Sequence, residues 1–423
     1  MQIEADANLT EQHSIIRAFK HRNFTYYFFG QSISLIGTFS QMLAISWLVW
    51  RMTDSPFLLG AINFAVQFPM LILALIGGAV ADRYDRRKLM IAMQILCMLQ
   101  AFLLAFLTLK GIVSLWQIFA LGVFLGCVYS FEFPARNAFI TDLVGKKDLL
   151  NAVSLNGAML HAARMIGPMI AGWIVAWRGE GECFLFNTLT FMALITALLM
   201  MKRDKILHVE KDKTPFLPAI VHGIKHMWGE PGLKLGFIIL AIVSLLIMPL
   251  VYMLPIFADQ VFGGGAITLG WLMAAAAGGS FIGALILAHR KNSDKLSTIS
   301  AAALIPVSIS VFAFSQTSTL WIGLLTLVLV GIFDTIAIAG SITLLQYTTP
   351  GHLRGRMMSL FVTAFMGFAP IGSLAGGTVA REIGAPMTIS ACGVLCLIIS
   401  LFVLIKARRI DVSSKRFCED SSK

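Results

Sequence analysis

The chain has 423 residues, of which 57% are hydrophobic and 13% charged, and its mean hydropathy is +0.81. Soluble domains are about 45–50% apolar and about a quarter charged, so the composition excludes a chain of soluble domains. The net charge of +11 would favour nucleic acid only on a soluble basic face, whereas in a membrane protein basic residues typically mark cytoplasmic loops. We therefore expect a multi-pass membrane protein that binds no nucleic acid.

Apolar runs of about 20 residues, each long enough to cross ~30 Å of hydrocarbon, recur along the chain. They predict an all-α membrane protein with twelve transmembrane helices, at 23–50, 57–81, 89–109, 115–138, 149–177, 182–201, 235–258, 266–288, 296–315, 319–346, 355–380 and 386–405. The predicted organisation is a six-helix bundle over 1–201, a cytoplasmic linker over 202–234, a second six-helix bundle over 235–406 and a cytoplasmic tail over 407–423.

The distribution of basic residues predicts the orientation. If the N-terminus is cytoplasmic, the segments on that side hold 28 of the 33 Lys and Arg residues. The opposite side holds four, and Arg164 lies inside a span. Because this asymmetry follows the positive-inside rule, we expect both termini to be cytoplasmic. The first apolar run is too long for a signal peptide and lacks a small-residue cleavage site.

The two sets of six helices form an internal sequence repeat, in which the same residue types recur at an offset of 205 residues. Glycines match at several places, and the clearest pairs are Gly126 with Gly331, Gly167 with Gly372 and Gly172 with Gly377. Six spans per half give both halves the same orientation, so the repeat is parallel. In such an architecture the substrate site lies between the halves near the midplane, and rocking of the halves gives alternating access.

The polar loop between the second and third spans is a candidate gate. It reads Gly-Ala-Val-Ala-Asp-Arg-Tyr-Asp-Arg-Arg-Lys over 78–88. Gly78 would let two helices approach closely, and Asp82 can face the N-terminus of another helix, where a carboxylate is favoured by ~0.3–1 kcal/mol. The candidate gating residues are Gly78, Asp82, Arg83, Arg86 and Arg87.

Ionisable residues at membrane depth cost ~2.5–3.5 kcal/mol or more, so each is a functional hypothesis. Glu132 and Arg136 lie four residues apart and can pair on one face of the fourth span. Arg164 in the fifth span and Asp334 in the tenth lie at similar depth, near the middle of the membrane. They could pair across the cavity, or each within its own half.

An acid at the midplane is a natural carrier for a coupling proton, and a satisfied structural acid is the alternative for Asp334. His161, one turn from Arg164, is either a packed polar residue or a proton relay. Arg164 leads into Gly167-Pro168 and Gly172, which resembles part of the Gly-Pro motif of drug/proton antiporters. The proline kinks the helix, and the small residues permit close packing against the stretch 274–280 of the eighth span.

Aromatic and amide side chains are candidates for the lining of a substrate cavity, because aromatic surfaces adapt to large amphiphiles. Each is equally compatible with packing against lipid or a neighbouring helix. The candidates are Gln31, Trp47, Tyr129, Phe131, Tyr252, Trp271 and Phe365.

The loop over 78–88 resembles the signature loop of the major facilitator superfamily. Three further stretches narrow the resemblance to the branch that contains enterobactin-type siderophore exporters and macrolide efflux pumps, and these stretches are 23–37, 133–138 and 346–356. The branch usually has Asp where this chain has Glu132, so the charge is kept with a longer side chain. The resemblance implies that Asp82 latches the cytoplasmic side by contacting the helix that begins near 353–356.

The resemblance also implies that Glu132 and Arg136 belong to a charge network with the signature loop and with Arg354 and Arg356, which opens and closes with the gate; a static anchor is the alternative. The predicted function is secondary active export, coupled to protons, of an amphiphilic siderophore or drug-like molecule from a bacterium. The alternatives are a lysophospholipid or lipid flippase and a non-transporting membrane sensor.

No nucleotide loop, metal-ligand set or nucleophile–base arrangement is visible, so we expect no enzyme, no metal and no cofactor. The expected partners are the substrate, protons and membrane lipids. The expected state is a monomer in the bacterial inner (plasma) membrane.

Overall fold

The computed structural model describes residues 17–202, 229–289, 295–349 and 351–420, without the side chains of 74–75, 146, 351–356, 359–360, 362–366 and 410–420. Most of the linker therefore lies outside the described residues. The helices are α1 Arg22–Thr53, α2 Pro56–Arg83, α3 Arg86–Leu109, α4 Leu115–Gly145, α5 Lys147–Arg178, α6 Glu180–Met200, α7 Pro231–Val261, α8 Gly265–Ala288, α9 Leu296–Gln316, α10 Leu320–Thr348, α11 Gly351–Ile383 and α12 Ala385–Asp420.

Within the described ranges, every helix except α11 meets both the length and the hydropathy needed to cross a membrane. The helix α11 has 33 residues, also enough to cross. The predicted twelve-helix, all-α fold is confirmed. The orientation of the termini remains a prediction, so the two faces of the bundle are named here by their residues. The basic side carries the α2–α3 turn at 84–85, and the far side carries the α1–α2 turn at 54–55.

Local sequence sets several helix ends. Ser55 caps the start of α2 by accepting a hydrogen bond from the Leu58 backbone, and Asp85 caps α3 by accepting one from Lys88. Gly145, with φ of 68°, separates α4 from α5, and Gly179, with φ of 102°, separates α5 from α6. Both glycines occupy backbone conformations that a side chain would strain, so α4, α5 and α6 reverse direction at the predicted boundaries.

Helix α7 is less regular than its apolar sequence suggests. Two π turns, Val243–Ile247 and Phe257–Val261, interrupt it on either side of Met248–Ile256. Pro249 and Pro255 lie in the segment between them, and each removes a backbone donor from the ordinary helical ladder. π turns occur often at functional sites. This irregularity was not predicted from the sequence.

The glycine repeat corresponds to equivalent contacts in the two halves. A Cβ on Gly126 would lie 2.1 Å from the Val66 carbonyl oxygen on α2, and one on Gly331 would lie 2.1 Å from the Ala276 oxygen on α8. The matched contact is therefore α4 on α2 in the first half and α10 on α8 in the second. The structure thus supports two parallel six-helix repeats.

Candidate functional site

The two halves meet closely toward the far side of the bundle. A Cβ on Gly60 of α2 would lie 2.3 Å from the Ser373 oxygen of α11, and one on Gly377 would lie 2.7 Å from the Pro56 oxygen. Only glycine allows the backbones to come this near, because any Cβ would overlap a carbonyl oxygen. The contact joins the first half to the second.

The Gly-Pro segment of α5 makes the second close contact. A Cβ on Gly172 would lie 2.7 Å from the Ala266 oxygen, and one on Gly270 would lie 2.6 Å from the Pro168 oxygen. These closest contacts thus involve the start of α8, one to two turns before the predicted stretch 274–280, and within that stretch a Cβ on Gly278 would lie 3.7 Å from Met165 Sδ on α5. That stretch faces α10 in part, since a Cβ on Gly279 would lie 2.1 Å from the Val328 oxygen. The third member of the motif, Gly167, packs on α1 at the Ile36 oxygen.

A hydrogen bond also joins the halves on the far side. Trp50, at the end of α1, donates from Nε1 to Oδ2 of Asp259 on α7 at 3.0 Å. Trp50 is almost fully buried and Asp259 is exposed. Sequence reasoning missed this pair, because 209 residues separate its members and neither belongs to a recognisable motif.

Between the halves lies a cavity of about 220 Å³, the interface cavity, lined by Arg164 and Asp334 among others. The two predicted midplane charges are therefore brought to one space. Oδ1 of Asp334 is buried and has no hydrogen-bond partner among the described residues. The guanidinium of Arg164 lies 5.9 Å from the centre of the Phe39 ring on α1. His161 lies one turn away, with its ring 6.2 Å from that of Phe281 on α8.

A larger cavity of about 370 Å³, the N-half cavity, lies mainly among α1–α6 of the first half. Of the predicted lining residues, Gln31, Tyr129 and Tyr252 line it. Tyr252 comes from α7 and accepts a hydrogen bond from Gln67 Nε2 at 3.1 Å. The volume lies within the ~300–1,000 Å³ typical of small-molecule sites.

The other predicted lining residues lie elsewhere. Trp47 packs against the main hydrophobic core, and the Trp271 side chain is 43% exposed on α8. Phe131 is half-buried on α4 and does not line either cavity. The Phe365 side chain lies outside the described residues. Helical periodicity could not separate these positions, because aromatic residues face lipid, core and cavity alike.

Glu132 and Arg136 form the expected ion pair, 3.4 Å apart, on the wall of the N-half cavity. The Arg136 guanidinium lies 5.3 Å from the centre of the Phe133 ring. The expected partners from the signature loop do not reach this pair. Arg86 binds Asp142 on α4 at 2.8 Å instead, and Arg87 donates to the carbonyl oxygens at the end of α6.

Asp142 lies ten residues, almost three helical turns, beyond Glu132 toward the basic side. Because Arg86 also lies on the basic side, at the start of α3, it pairs with Asp142 and not with Glu132. The side chains of Arg354 and Arg356 lie outside the described residues, so their predicted place in the network stays a prediction.

The candidate gating loop lies on the basic side. The Asp82 side chain is 63% exposed and lies 3.8 Å from Arg86, and Arg83 is exposed. The close approach expected at Gly78 occurs one residue earlier. A Cβ on Gly77 would lie 1.9 Å from the Ser130 oxygen of α4, whereas one on Gly78 meets nothing within 4 Å.

Two further charged groups were not predicted. On the far side, Arg51 of α1 pairs with Glu180 at the start of α6 through two hydrogen bonds of 2.9 and 3.0 Å. On the basic side, Asp148 binds both Arg17 and His21, which precede α1. Both sets lie within the first half, where they hold α1 against α5 and α6. In the described ranges, His, Cys, Asp and Glu form no group that could hold a metal ion.

Comparison with known proteins identifies the fold and the family. The staphyloferrin A transporter of Staphylococcus aureus (strain NCTC 8325 / PS 47) is 25% identical over 416 residues, covering 92% of this chain and 97% of that protein. The enterobactin exporter EntS of Escherichia coli O1:K1 / APEC is 27% identical over 400 residues, covering 92% of this chain and 93% of that protein.

The crystal structure of a bacterial homologue of the human lysosomal transporter Spinster, in an inward-facing and unoccupied conformation, has a TM-score of 0.72. It is 15% identical and covers 92% of this chain and 98% of that chain, and this likeness shows the fold alone. A family model described as transmembrane secretion effector, MFS_3, matches residues 14–420. The chain is a multi-span membrane transport protein and belongs to the transmembrane secretion effector family of the major facilitator superfamily.

Proposed function

We propose that this transporter is a proton-coupled exporter of an amphiphilic siderophore or drug-like molecule in the bacterial inner membrane. The observation that carries the proposal is the interface cavity, where an acid from one half and an arginine from the other share one space. Two relatives are named for the siderophores staphyloferrin A and enterobactin, and they supply the substrate class.

Coupling follows from the position of Asp334. Its free carboxylate oxygen and the Arg164 guanidinium line the same cavity, so the charge of the acid affects how strongly the halves attract across it. When Asp334 is ionised, the attraction to Arg164 favours closure of the cavity. When it is protonated, that attraction is lost and the halves can separate.

Alternating access follows from the uneven contacts between the halves. On the far side, the first half is joined to the second by the contacts of α2 with α11, α5 with α8 and α1 with α7. Asp82 on the basic side is exposed, as expected for an open latch. If the basic side is cytoplasmic, this conformation admits substrate from the cytoplasm, and formation of the Asp82 latch accompanies release on the other side.

The N-half cavity and the interface cavity share Phe39, Met42 and Leu160 as lining residues. Arg164 lies against Phe39, so a molecule in the N-half cavity would contact the same ring that supports the arginine. We propose this shared wall as the route by which substrate binding affects the Arg164–Asp334 pair.

The test is transport in proteoliposomes with an imposed pH gradient and a fluorescent amphiphile as substrate. The wild-type chain should accumulate the amphiphile against its gradient, and Asp334→Asn should not, although it should still exchange substrate across the membrane. Accumulation by Asp334→Asn at the wild-type level, with equal protein in the vesicles, would show that Asp334 does not carry the proton.

A further inference from the structure

The backbone of α5 is weakened at the turn that carries Arg164. Pro168 has no backbone N–H, so it cannot donate to the carbonyl oxygen of Arg164 four residues earlier. The Arg164 side chain lines the interface cavity and is exposed there. In the described ranges its guanidinium makes no hydrogen bond or ion pair, and it lies 5.9 Å from the centre of the Phe39 ring. The position of the guanidinium therefore depends on what holds this turn of backbone.

Helix α1 holds the turn through a buried hydroxyl group. Ser40 is fully buried, and its hydroxyl donates at 2.8 Å both to the Gly167 oxygen of α5 and to the Ile36 oxygen of its own helix. A Cβ on Gly167 would lie 2.7 Å from the Ile36 oxygen and 2.8 Å from Phe39 Cβ, so the two helices are in close contact here. Ser40 thus binds α5 one turn beyond Arg164, and the neighbouring Phe39 supports the guanidinium.

Helix α1 is itself fixed at this height. Gln41, the next residue, donates to Gln100 on α3 at 2.9 Å and accepts from Asn187 on α6 at 2.8 Å. All three side chains are almost fully buried. Hydrogen bonds between buried groups resist rearrangement, because inside the membrane no water replaces a lost partner. Ser40 therefore extends from a rigid support to a weakened turn.

The same turn of α5 also contacts the second half. A Cβ on Gly270 of α8 would lie 2.6 Å from the Pro168 oxygen, and Pro168 lines the interface cavity together with Asp334. Two successive carbonyl groups, those of Gly167 and Pro168, thus contact α1 of the first half and α8 of the second. Movement of this turn would change the position of Arg164 and the contact between the halves together.

We propose that Ser40 is a positioning residue for coupling, whose hydrogen bond to Gly167 holds the weakened turn of α5 on α1 and keeps Arg164 against Phe39. The inference rests on the proposed function, in which Arg164 and Asp334 attract each other across the interface cavity. Without the hydroxyl, the guanidinium leaves Phe39 in part of the molecules. The attraction then depends less strictly on the protonation of Asp334, and the halves move without their proton.

The first experiment measures the position of Arg164 without any gradient. The full chain in lipid nanodiscs is treated with the arginine reagent phenylglyoxal, and peptide mass spectrometry gives the labelling rate of Arg164 relative to Arg22. Arg22 is the internal reference, because it is also exposed and lies over an aromatic ring, that of Tyr26 on the same helix. Ser40→Ala should raise the relative rate about three- to tenfold, since loss of one hydrogen bond between helices frees the turn.

Matched variants separate the hydroxyl from packing. Ser40→Thr and Ser40→Val have nearly the same shape, and only threonine can donate to Gly167. The threonine variant should label like the wild type, and the valine variant like Ser40→Ala. Ser341→Ala is the control, because Ser341 is also fully buried and its hydroxyl donates within its own helix, to the Ala337 oxygen of α10 at 2.7 Å. It should leave the relative rate unchanged.

The second experiment measures coupling in proteoliposomes with an imposed pH gradient and a fluorescent amphiphile. In tight vesicles, fewer folded molecules slow the approach to steady-state accumulation without changing its level, so this level reports coupling. Ser40→Ala and Ser40→Val should lower the level about three- to tenfold. Ser40→Thr and Ser341→Ala should keep the wild-type level.

The proposal is overturned if Arg164 labels equally fast in the wild type and in Ser40→Ala. It is also overturned if threonine and valine at this position behave alike, because the hydroxyl would then be irrelevant, or if Ser40→Ala accumulates the amphiphile to the wild-type level. The proposed function fails separately. If the wild type itself accumulates nothing while labelling of Arg164 changes as expected, proton coupling alone is refuted and the positioning of Arg164 by Ser40 stands.

Discussion

A single methyl group at Gly172 should weaken the far-side contact between the halves. The added Cβ of Gly172→Ala would lie 2.7 Å from the Ala266 oxygen and 3.2 Å from Ile267 Cα, both of them backbone atoms of α8. Overpacking of this kind costs about 1–3 kcal/mol, because the backbone of a packed helix must shift. We expect the equilibrium to move away from the far-side-closed conformation by about 5- to 150-fold.

Gly157→Ala is the matched control, because Gly157 lies on the same helix and a Cβ there meets nothing within 4 Å. Any effect of alanine on helix propensity is common to both variants. The assay is a spin–spin distance measurement between labels at Lys110→Cys and Ser318→Cys, one in a far-side turn of each half, in a chain whose native cysteines are replaced by alanine.

Gly172→Ala should add or enlarge a long-distance population, and Gly157→Ala should give the wild-type distribution. Identical distributions for all three proteins would refute the argument that glycine contacts hold the far side closed. An equal shift in both variants would assign the effect to helix propensity instead.

Three further predictions concern hydrogen bonds and charges. Trp50→Phe removes the donor to Asp259 and should favour the open far side roughly five- to tenfold in the same distance assay. An unchanged distribution would show that this hydrogen bond does not hold the far side closed. Asp82→Asn weakens the proposed latch by ~0.3–1 kcal/mol and should slow transport about two- to fivefold, so normal rates would refute that latch. Arg86→Ala removes a partner from buried Asp142 and should lower the melting temperature of the protein by several degrees. The control Lys88→Ala changes an exposed side chain and should leave the melting temperature unchanged. Equal melting temperatures for both variants would show that the Arg86–Asp142 pair adds no stability.

The sequence predicted the helices well because their determinants are local. Apolar length and the polar gaps between the predicted spans depend on neighbouring residues alone, and the structure separates helices at Gly145 and Gly179 within those gaps. The glycine repeat also indicated equivalent helix packing in the two halves, since Gly126 and Gly331 make equivalent contacts in the structure. The π turns of α7 were missed, because they depend on how Pro249 and Pro255 are accommodated by packing.

The site was predicted less completely, because it depends on helix rotation and register. Arg164 and Asp334, which were expected at similar depth, line one cavity in the structure, since depth follows from counting residues along a helix. The partner of Arg86 was not, because choosing Asp142 over Glu132 requires the relative height of α3 and α4. The same limitation concealed Gln94, which faces the N-half cavity from α3 without any motif to mark it.

The most direct test of the account is a count of protons moved with substrate. Proteoliposomes containing a trapped pH-sensitive dye are given a substrate gradient and no initial pH gradient. In wild type, downhill substrate movement should drive protons in the opposite direction, and Asp334→Asn should move substrate without any change in internal pH. Proton movement at the wild-type ratio in Asp334→Asn, or none in the wild-type chain, would contradict proton coupling through Asp334.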